Sequence, residues 1–159
     1  MKKLLAAPVF LAFVVGSMVG GQDKAGHADM KHVTVRPDAV KWGPAPSLPP
    51  GAQMAVLVGD PTKAGVPYVV RVKLPDGFRV PPHWHPADEN ATILQGTLLI
   101  GEGEKFDPAK LEELPAGSFM RMPKTMRHFA TAKGETIIQL HGTEPFAVNY
   151  VNPADDPRK

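Results

Sequence analysis

Residues 77–96, GFRVPPHWHPADENATILQG, carry two histidines one residue apart in a stretch that is typical of a β-strand. Successive side chains of a strand point to opposite faces, so His83 and His85 lie on one side and Trp84 on the other. Two imidazoles about 6.5 to 7 Å apart along a strand are able to converge on one ion. Pro86 ends the strand, and Glu89 can return its carboxylate to the same ion from the turn that follows. The stretch therefore predicts a metal site that includes His83, His85 and Glu89.

A fourth ligand has to come from another part of the chain, and His128 is the residue that we expect. Residues 121–128, RMPKTMRH, read as the end of a strand, a proline turn and the start of a new strand. The chain has no cysteine, so thiolate metal sites, disulfides and thiol nucleophiles are excluded. Three imidazoles and one carboxylate suit a divalent transition metal, which is Fe, Mn, Ni, Cu or Zn.

The same residues resemble the first motif of the cupin superfamily, which is Gly, five residues, His-x-His, three or four residues, Glu, six residues and Gly. The matching positions in this chain are Gly77, His83, His85, Glu89 and Gly96. The resemblance implies an all-β fold, the cupin double-stranded β-helix or jelly-roll barrel, with a metal ion in its interior. It also implies a catalytic role for Glu89, which in related metal cupins shifts between metal coordination and proton transfer.

The second cupin motif is matched only in part, by Gly117, Pro123 and His128. Thr125 stands where the family has a turn glycine, and Ala132 stands where it has an asparagine. Neither position is a metal ligand in the family. The resemblance therefore implies a complete ligand set beside a turn that departs from the family pattern.

The remaining sequence patterns predict a single all-β domain. One short helix is expected over Phe106–Leu114, in the loop between the two motifs, with Asp107 as its N-cap and Pro108 as its first residue. Elsewhere short β-rich runs recur about every ten residues between turn signals, as in a sandwich or barrel. These runs are residues 52–58, 68–74, 78–85, 91–100, 118–122, 128–132, 136–141 and 146–151.

We expect the chain to consist of four parts. Residues 1–21 have the basic start, apolar run and small-residue end of a secretory signal peptide, so we expect an exported protein, periplasmic or secreted. Residues 22–50 are expected to form a linker and a proline-rich arm, residues 51–151 the cupin barrel and residues 152–159 a C-terminal tail. The C-terminal residues are similar to those of small, exported bacterial single-cupin proteins of unassigned activity.

The charge balance indicates which partners to expect. Without Lys2 and Lys3, which fall in the expected signal peptide, the 18 basic residues become 16 and equal the 16 acidic ones. A neutral domain without a basic run lacks the electrostatic footprint for nucleic acid or for an anionic membrane surface. We therefore expect a small-molecule ligand or substrate, no nucleic acid and no membrane attachment after signal cleavage. Because cupins commonly pair through strand exchange, the resemblance also implies a homodimer.

Three further residues are candidates for the lining of a binding pocket. Tyr68 lies on the same face of its strand as Val70 and Val72, which predicts an inward-facing side chain. Gln139 and His141 share one face of their strand, opposite to Ile138 and Leu140. This alternation leaves open which of the two pairs faces the barrel interior.

Catalysis, if the protein is an enzyme, is expected to run through the metal, because a serine nucleophile with its own base is hard to assemble from this chain. Three His and one Glu leave one or two coordination positions open for water, dioxygen or an oxygen-bearing substrate. The leading hypothesis is a metal-dependent, oxygenase-like enzyme that acts on a small organic molecule. The alternatives are a noncatalytic metal- or ligand-binding cupin, acting as a sensor or scavenger, and a metal-dependent isomerase or hydrolase.

Overall fold

The computed structural model describes residues 32–159, in which Val33–Lys159 form a compact unit. The expected signal peptide, residues 1–21, lies outside the described residues. No helix within residues 32–159 is long and apolar enough to cross a membrane.

Antiparallel strands form a curled sheet in this unit, and three short 3-10 helices lie outside it. The strands are β1 (Gly43–Pro44), β2 (Gln53–Val58), β3 (Tyr68–Leu74), β4 (Arg79–Trp84), β5 (Glu89–Glu102), β6 (Glu112–Pro115), β7 (Phe119–Met122), β8 (His128–Gly142) and β9 (Asn149–Tyr150). The 3-10 helices are Pro37–Ala39, Pro108–Lys110 and Pro153–Asp155. Each of them starts with a proline, whose fixed φ and missing N–H suit the first turn of a helix.

β5 and β8 are the two long strands, and they pair with each other from Asn90 opposite His141 to Glu102 opposite His128. β7 pairs with the first half of β5, and β3 pairs with the second half of β8. β6 pairs with the second half of β5, and β4 pairs with the first half of β8. Register shifts on both sides of Gln95 bend β5 between these two halves. The β5–β8 ribbon therefore runs from one sheet into a second one, which confirms the predicted all-β jelly-roll fold.

Side chains alternate between the barrel interior and its surface along each strand. On β3, Tyr68, Val70, Val72 and Leu74 are buried, and the residues between them are half-buried. Their inward-facing counterparts on β8 include Leu140, which is 2 % exposed. Burying an aliphatic side chain of this size stabilises the fold by about 1.5–3 kcal/mol relative to leaving it exposed. These segments of β3 and β8 therefore present apolar side chains to the barrel interior.

The structure corrects two expectations about local secondary structure. The helix expected over Phe106–Leu114 is a single 3-10 turn, Pro108–Lys110, capped by Asp107, which accepts a hydrogen bond from the Ala109 backbone N–H at 3.0 Å. The residues that follow form β6 because they pair with β5. The runs 128–132 and 136–141 form one strand, because pairing with β5 continues through Lys133.

The proline-rich arm packs against the barrel. Gly43 pairs with Met54 of β2, and Ala45 and Leu48 are buried in the core cluster. The hydroxyl of Tyr150 donates a hydrogen bond of 2.8 Å to the Ser47 carbonyl. The arm therefore contributes to the apolar interior.

Candidate metal centre

His83, His85, Glu89 and His128 come together in the barrel interior. His83 lies on β4 and His85 follows its end, whereas Glu89 begins β5 and His128 begins β8. In the antiparallel pairing of β4 with β8, His83 lies directly opposite His128. All four side chains are buried, from 2 % exposed for His128 to 9 % for Glu89. The structure thus brings together the four residues that the sequence predicts as ligands.

Backbone carbonyl groups fix the orientation of the three imidazole rings. The Nδ1 atoms of His83, His85 and His128 lie 2.8, 2.7 and 3.1 Å from the carbonyl oxygens of Pro81, Ala147 and Met126. A carbonyl oxygen only accepts hydrogen bonds, so Nδ1 carries a proton in each ring, and Nε2 presents its lone pair when the ring is neutral. Metal-binding histidines are typically oriented in this way.

The ligand atoms of these residues face one another at short range. One ring nitrogen from each of the three histidines lies within 4.8 Å of the other two. Oε2 of Glu89 lies 3.5 Å from Nε2 of His85 and 3.5 Å from Nε2 of His128. Such separations are long for hydrogen bonds, but two atoms that each bind the same ion at about 2.0–2.2 Å can span them.

Two atoms of the cluster lack a hydrogen-bond partner among the described residues, namely Nε2 of His85 and Oε2 of Glu89. Leaving a buried polar atom unpaired costs about 1–3 kcal/mol, and more for a charged group. When the His85 ring is neutral, with its proton on Nδ1, the lone pairs of His85 and Glu89 face each other without a proton between them. A divalent cation would satisfy both atoms, so the residues present fit a metal ion.

The ionisation of the cluster also suits a cation. Burial, followed by the charges of His128 and His85, lowers the pKa of His83 to about 3. Burial raises the pKa of Glu89, but the interactions with His85, His128 and His83 outweigh burial and lower that pKa to about 2. At neutral pH His83 is therefore neutral and Glu89 is anionic, as metal binding requires.

The four residues form the polar end of a cavity of about 40 Å³. The other residues that line it are apolar, and they are Leu48, Val72, Leu74, Val80, Leu98, Ile100, Met120, Ala130, Ile138, Leu140, Phe146 and Val148. The ring of Phe146 stacks on that of His85, with 5.4 Å between centroids and 23° between planes. Leu48 and Phe146 were not predicted as site residues, because no spacing in the sequence links either of them to the histidines.

Tyr68 lies beside the centre, as its predicted inward orientation requires. It is 6 % exposed and lines a second, small cavity together with His85, Glu89 and Phe146. Burial, followed by the negative charge of Glu89, raises the pKa of the Tyr68 hydroxyl. Tyr68 is therefore a protonated phenol next to the candidate centre at neutral pH.

Gln139 and His141, which were candidates for the pocket lining, do not line this cavity. Oε1 of Gln139 accepts a hydrogen bond of 3.1 Å from Arg71, and His141 is exposed. Ile138 and Leu140 are the residues of this strand segment that line the cavity. The alternation along β8 was predicted, but only the packing of the sheet determines which face is inside.

The turn before His128 keeps a glycine-like conformation without a glycine. Thr125 has a φ of 65°, and it is the one non-glycine residue with positive φ in the described part of the chain. Its backbone N–H donates a hydrogen bond of 2.8 Å to the carbonyl of His85. This bond links the turn of the second motif directly to the histidines of the first.

Several solved structures are similar to this one. The polyketide cyclase RemF from Streptomyces resistomycificus is 20% identical, with 81% of this chain and 90% of that chain covered and a TM-score of 0.60. A proposed acetylacetone dioxygenase from Methylibium petroleiphilum PM1 is 18% identical, with 82% and 88% covered and a TM-score of 0.60. An RmlC-like cupin from Shewanella frigidimarina NCIMB 400 is 13% identical, with 70% and 89% covered and a TM-score of 0.53. No curated protein matches the chain.

The fold is similar to that of a solved RmlC-like cupin structure, and three buried histidines from the two predicted motifs lie together inside the barrel. The family described as a domain of unknown function, DUF4437, matches residues 33–157, and the chain belongs to this family. At the identities given above, the likeness to solved structures shows the fold alone.

Proposed function

We propose that the protein is a metal-dependent enzyme with oxygenase-like chemistry, which acts on a small organic molecule outside the cytoplasm. The observation that carries this proposal is the pair of buried, unpartnered atoms, Oε2 of Glu89 and Nε2 of His85, within a group of three histidines. Buried polar groups that serve only the fold are almost always hydrogen-bonded to one another. The export of the protein rests on the signal-peptide pattern of residues 1–21.

His83, His85 and His128 would hold the ion through Nε2, and Glu89 through its carboxylate. A bound Fe, Mn, Ni, Cu or Zn ion supplies Lewis acidity toward an oxygen-bearing substrate and, where it is redox-active, a meeting point for substrate and dioxygen. The carbonyls that bind Nδ1 hold the three rings in this orientation before any ligand arrives. The donor set is therefore preorganised by the fold.

Glu89 is the residue of the centre that can move a proton. Its carboxylate is anionic at neutral pH, and Oε2 has no hydrogen-bond partner to occupy it. A substrate that releases a proton on binding would transfer it to the Glu89 carboxylate oxygen that does not hold the ion, and Glu89 would later return the proton to the product. The imidazoles cannot do the same, because Nδ1 is engaged with a carbonyl and Nε2 faces the ion.

The structural neighbours support the proposal that the protein is an enzyme. They include a polyketide cyclase and a proposed acetylacetone dioxygenase, so the same barrel elsewhere hosts reactions of small organic molecules. Fold likeness raises the expectation of catalysis without identifying the reaction. The metal and the consumption of oxygen have to be measured directly.

The test begins with the metal content of the mature protein purified from its native compartment. Oxygen uptake is then measured with a panel of phenols, flavonoids and diketones, for the wild type, for Glu89→Gln and for the exposed-histidine control His141→Ala. We expect one redox-active ion per chain and oxygen uptake with at least one compound. Glu89→Gln should lower the rate by about 10²–10⁴-fold if it removes the proton acceptor, and His141→Ala should not.

Other outcomes redirect the assignment. A stoichiometric zinc ion without oxygen uptake would indicate a metal-dependent isomerase or hydrolase. A redox-active ion with no oxygen uptake for any compound would favour a noncatalytic sensor or scavenger.

A further inference from the structure

The cavity has two chemically different ends. His83, His85, Glu89 and His128 form one end, and every other residue among 32–159 that lines the cavity has an apolar side chain. No hydroxyl, amide or charged side chain of the described residues is therefore available to bind the part of a ligand that lies away from the centre. Methylene groups gain free energy in such surroundings, whereas an unpaired hydroxyl or carboxylate loses it.

The cavity is also small. Its volume of about 40 Å³ compares with roughly 10–15 Å³ for one water molecule on the same kind of measure. Only a few non-hydrogen atoms of a ligand fit without movement of the wall. The length of the ligand is therefore restricted as well as its polarity.

One part of the wall comes from outside the barrel strands. Leu48 belongs to the proline-rich arm and is 9 % exposed, and it lines the cavity together with Phe146 and Val148. The neighbouring Ser47 carbonyl accepts the hydrogen bond from the Tyr150 hydroxyl. Tyr150 lies opposite His83 in the pairing of β9 with β4. The position of Leu48 is thus tied to the strand that carries the first histidine of the centre.

We propose that the centre takes small, uncharged substrates that present one oxygen-bearing group to the metal and an apolar remainder to the cavity, and that Leu48 limits the length of this remainder. The proposal rests on the proposed function, because the oxygen-bearing group is placed at the metal. Sugars, sugar acids and dicarboxylates are excluded as substrates, since their further polar groups would be buried without partners.

The test uses three hydroxamic acids with the same metal-binding group and different tails. Acetohydroxamic acid has a short apolar tail, hexanohydroxamic acid a long apolar one, and succinic monohydroxamic acid a charged one. The mature protein is loaded with Co²⁺, whose visible absorption reports binding without any need for activity. Cobalt content is measured again after each titration, so that removal of the metal by the probe is recognised.

We expect acetohydroxamic acid to bind the wild type at least about tenfold more tightly than the succinic compound, because the carboxylate tail would be buried unpaired. Leu48→Ala should improve the binding of hexanohydroxamic acid relative to acetohydroxamic acid by about tenfold, which corresponds to about two buried methylene groups. Pro46→Ala is the matched control, since Pro46 is an exposed residue of the same arm. It should leave both ratios unchanged.

The outcomes separate this inference from the proposed function. If the protein takes up no cobalt, the metal site is wrong and the inference falls with it. If cobalt binds and the charged probe binds as tightly as the acetyl probe, only the inference is overturned. The wild-type comparison requires no variant, and Tyr150→Phe, which frees the Ser47 carbonyl, provides a second test of Leu48 if Leu48→Ala fails to fold. Tyr150→Phe should weaken the selection against the long tail.

Discussion

The two sequence segments that build the centre, residues 77–96 and residues 117–132, reach the same point by different means. The first supplies three of the four candidate ligands and has glycines with φ of 70° and 69° at its two ends, Gly77 and Gly96. The second supplies only His128 and places Thr125 in the left-handed region, where the cupin motif has a glycine. Both segments nevertheless deliver buried imidazoles whose Nδ1 atoms bind backbone carbonyls. Strand pairing and these carbonyls, rather than the identity of the turn residue, hold the ligands in place.

The left-handed positions Gly77 and Gly96 differ in what surrounds them. A Cβ at Gly96 would lie 2.5 Å from the carbonyl oxygen of Glu135, whereas a Cβ at Gly77 would meet no atom within 4 Å. Gly96 is therefore required for steric reasons, because strand β8 passes directly over it. At Gly77 and Thr125 only the backbone conformation favours glycine, which explains why a threonine is tolerated at one of them.

Removal of one ligand from each segment is expected to have the largest effect. His83→Ala and His128→Ala should each lose the bound metal during gel filtration. Loss of a group that only hydrogen-bonds to a metal ligand lowers metal affinity by roughly 10–100-fold, and loss of a ligand should lower it by more. The metal content per chain is the measurement, and His141→Ala is the control, because His141 is exposed. Retention of a full equivalent by His128→Ala would mean that the second segment supplies no ligand.

Alanine substitutions at the two glycines of the first segment should differ in their effect on stability. Gly96→Ala combines the left-handed penalty of about 1–2 kcal/mol with about 1–3 kcal/mol for the clash with Glu135. Gly77→Ala should cost about 1–2 kcal/mol, because only the backbone conformation is affected. Urea denaturation of both variants measures the difference. Equal losses would contradict the steric role of Gly96.

Acid should destabilise the metal-free protein through the first segment. The folded state keeps His83 neutral down to a pKa of about 3, whereas the unfolded chain takes up a proton near the ordinary value of 6.5. Stability is therefore lost as the pH falls below 6.5, by up to about 1.4 kcal/mol per pH unit for one proton. Glu89, with a pKa of about 2 against an ordinary 4.5, adds a loss of the same sign below pH 4.5.

The measurement is the urea midpoint of the metal-free protein between pH 7.5 and 4.5. His83→Gln is the informative variant, since an amide N–H can still donate to the Pro81 carbonyl but does not titrate. The pH dependence between 6.5 and 4.5 should be weaker in this variant. An unchanged dependence would assign the acid sensitivity to other groups.

The sequence predicts the ligand set of the centre because each ligand depends on local rules. Alternation along a strand places His83 and His85 on one face, and a proline turn leads into the strand that begins with His128. The all-β fold follows from the same regular spacing of short strands. These features depend on neighbours in the sequence, so they can be derived without knowledge of tertiary contacts.

The parts of the site that the sequence does not reveal depend on long-range packing. Gln139 and His141 remained candidates for the pocket lining because parity along β8 does not distinguish the inner face from the outer one. Leu48 and Phe146 reach the cavity from segments that no periodicity connects to the histidines. The carbonyls that orient the rings, such as that of Ala147 for His85, belong to the backbone and leave no trace in the residue types.

The smallest predicted effect concerns Thr125, which stands where the cupin motif has a turn glycine. Thr125→Gly removes a left-handed penalty of about 1–2 kcal/mol and adds about 0.5–1 kcal/mol of conformational entropy to the unfolded chain, so a net stabilisation of about 0.5–1 kcal/mol is expected. Metal content should not change, because the hydrogen bond to the His85 carbonyl comes from the backbone N–H, which glycine retains. Thr125→Ser keeps the hydroxyl that donates to the Lys124 carbonyl. In the same urea titration it therefore separates the contribution of the hydroxyl from that of the backbone conformation. If Thr125→Gly destabilises the protein and Thr125→Ser does not, the hydrogen bond from the side-chain hydroxyl to Lys124 contributes more to the stability of this turn than the left-handed conformation costs.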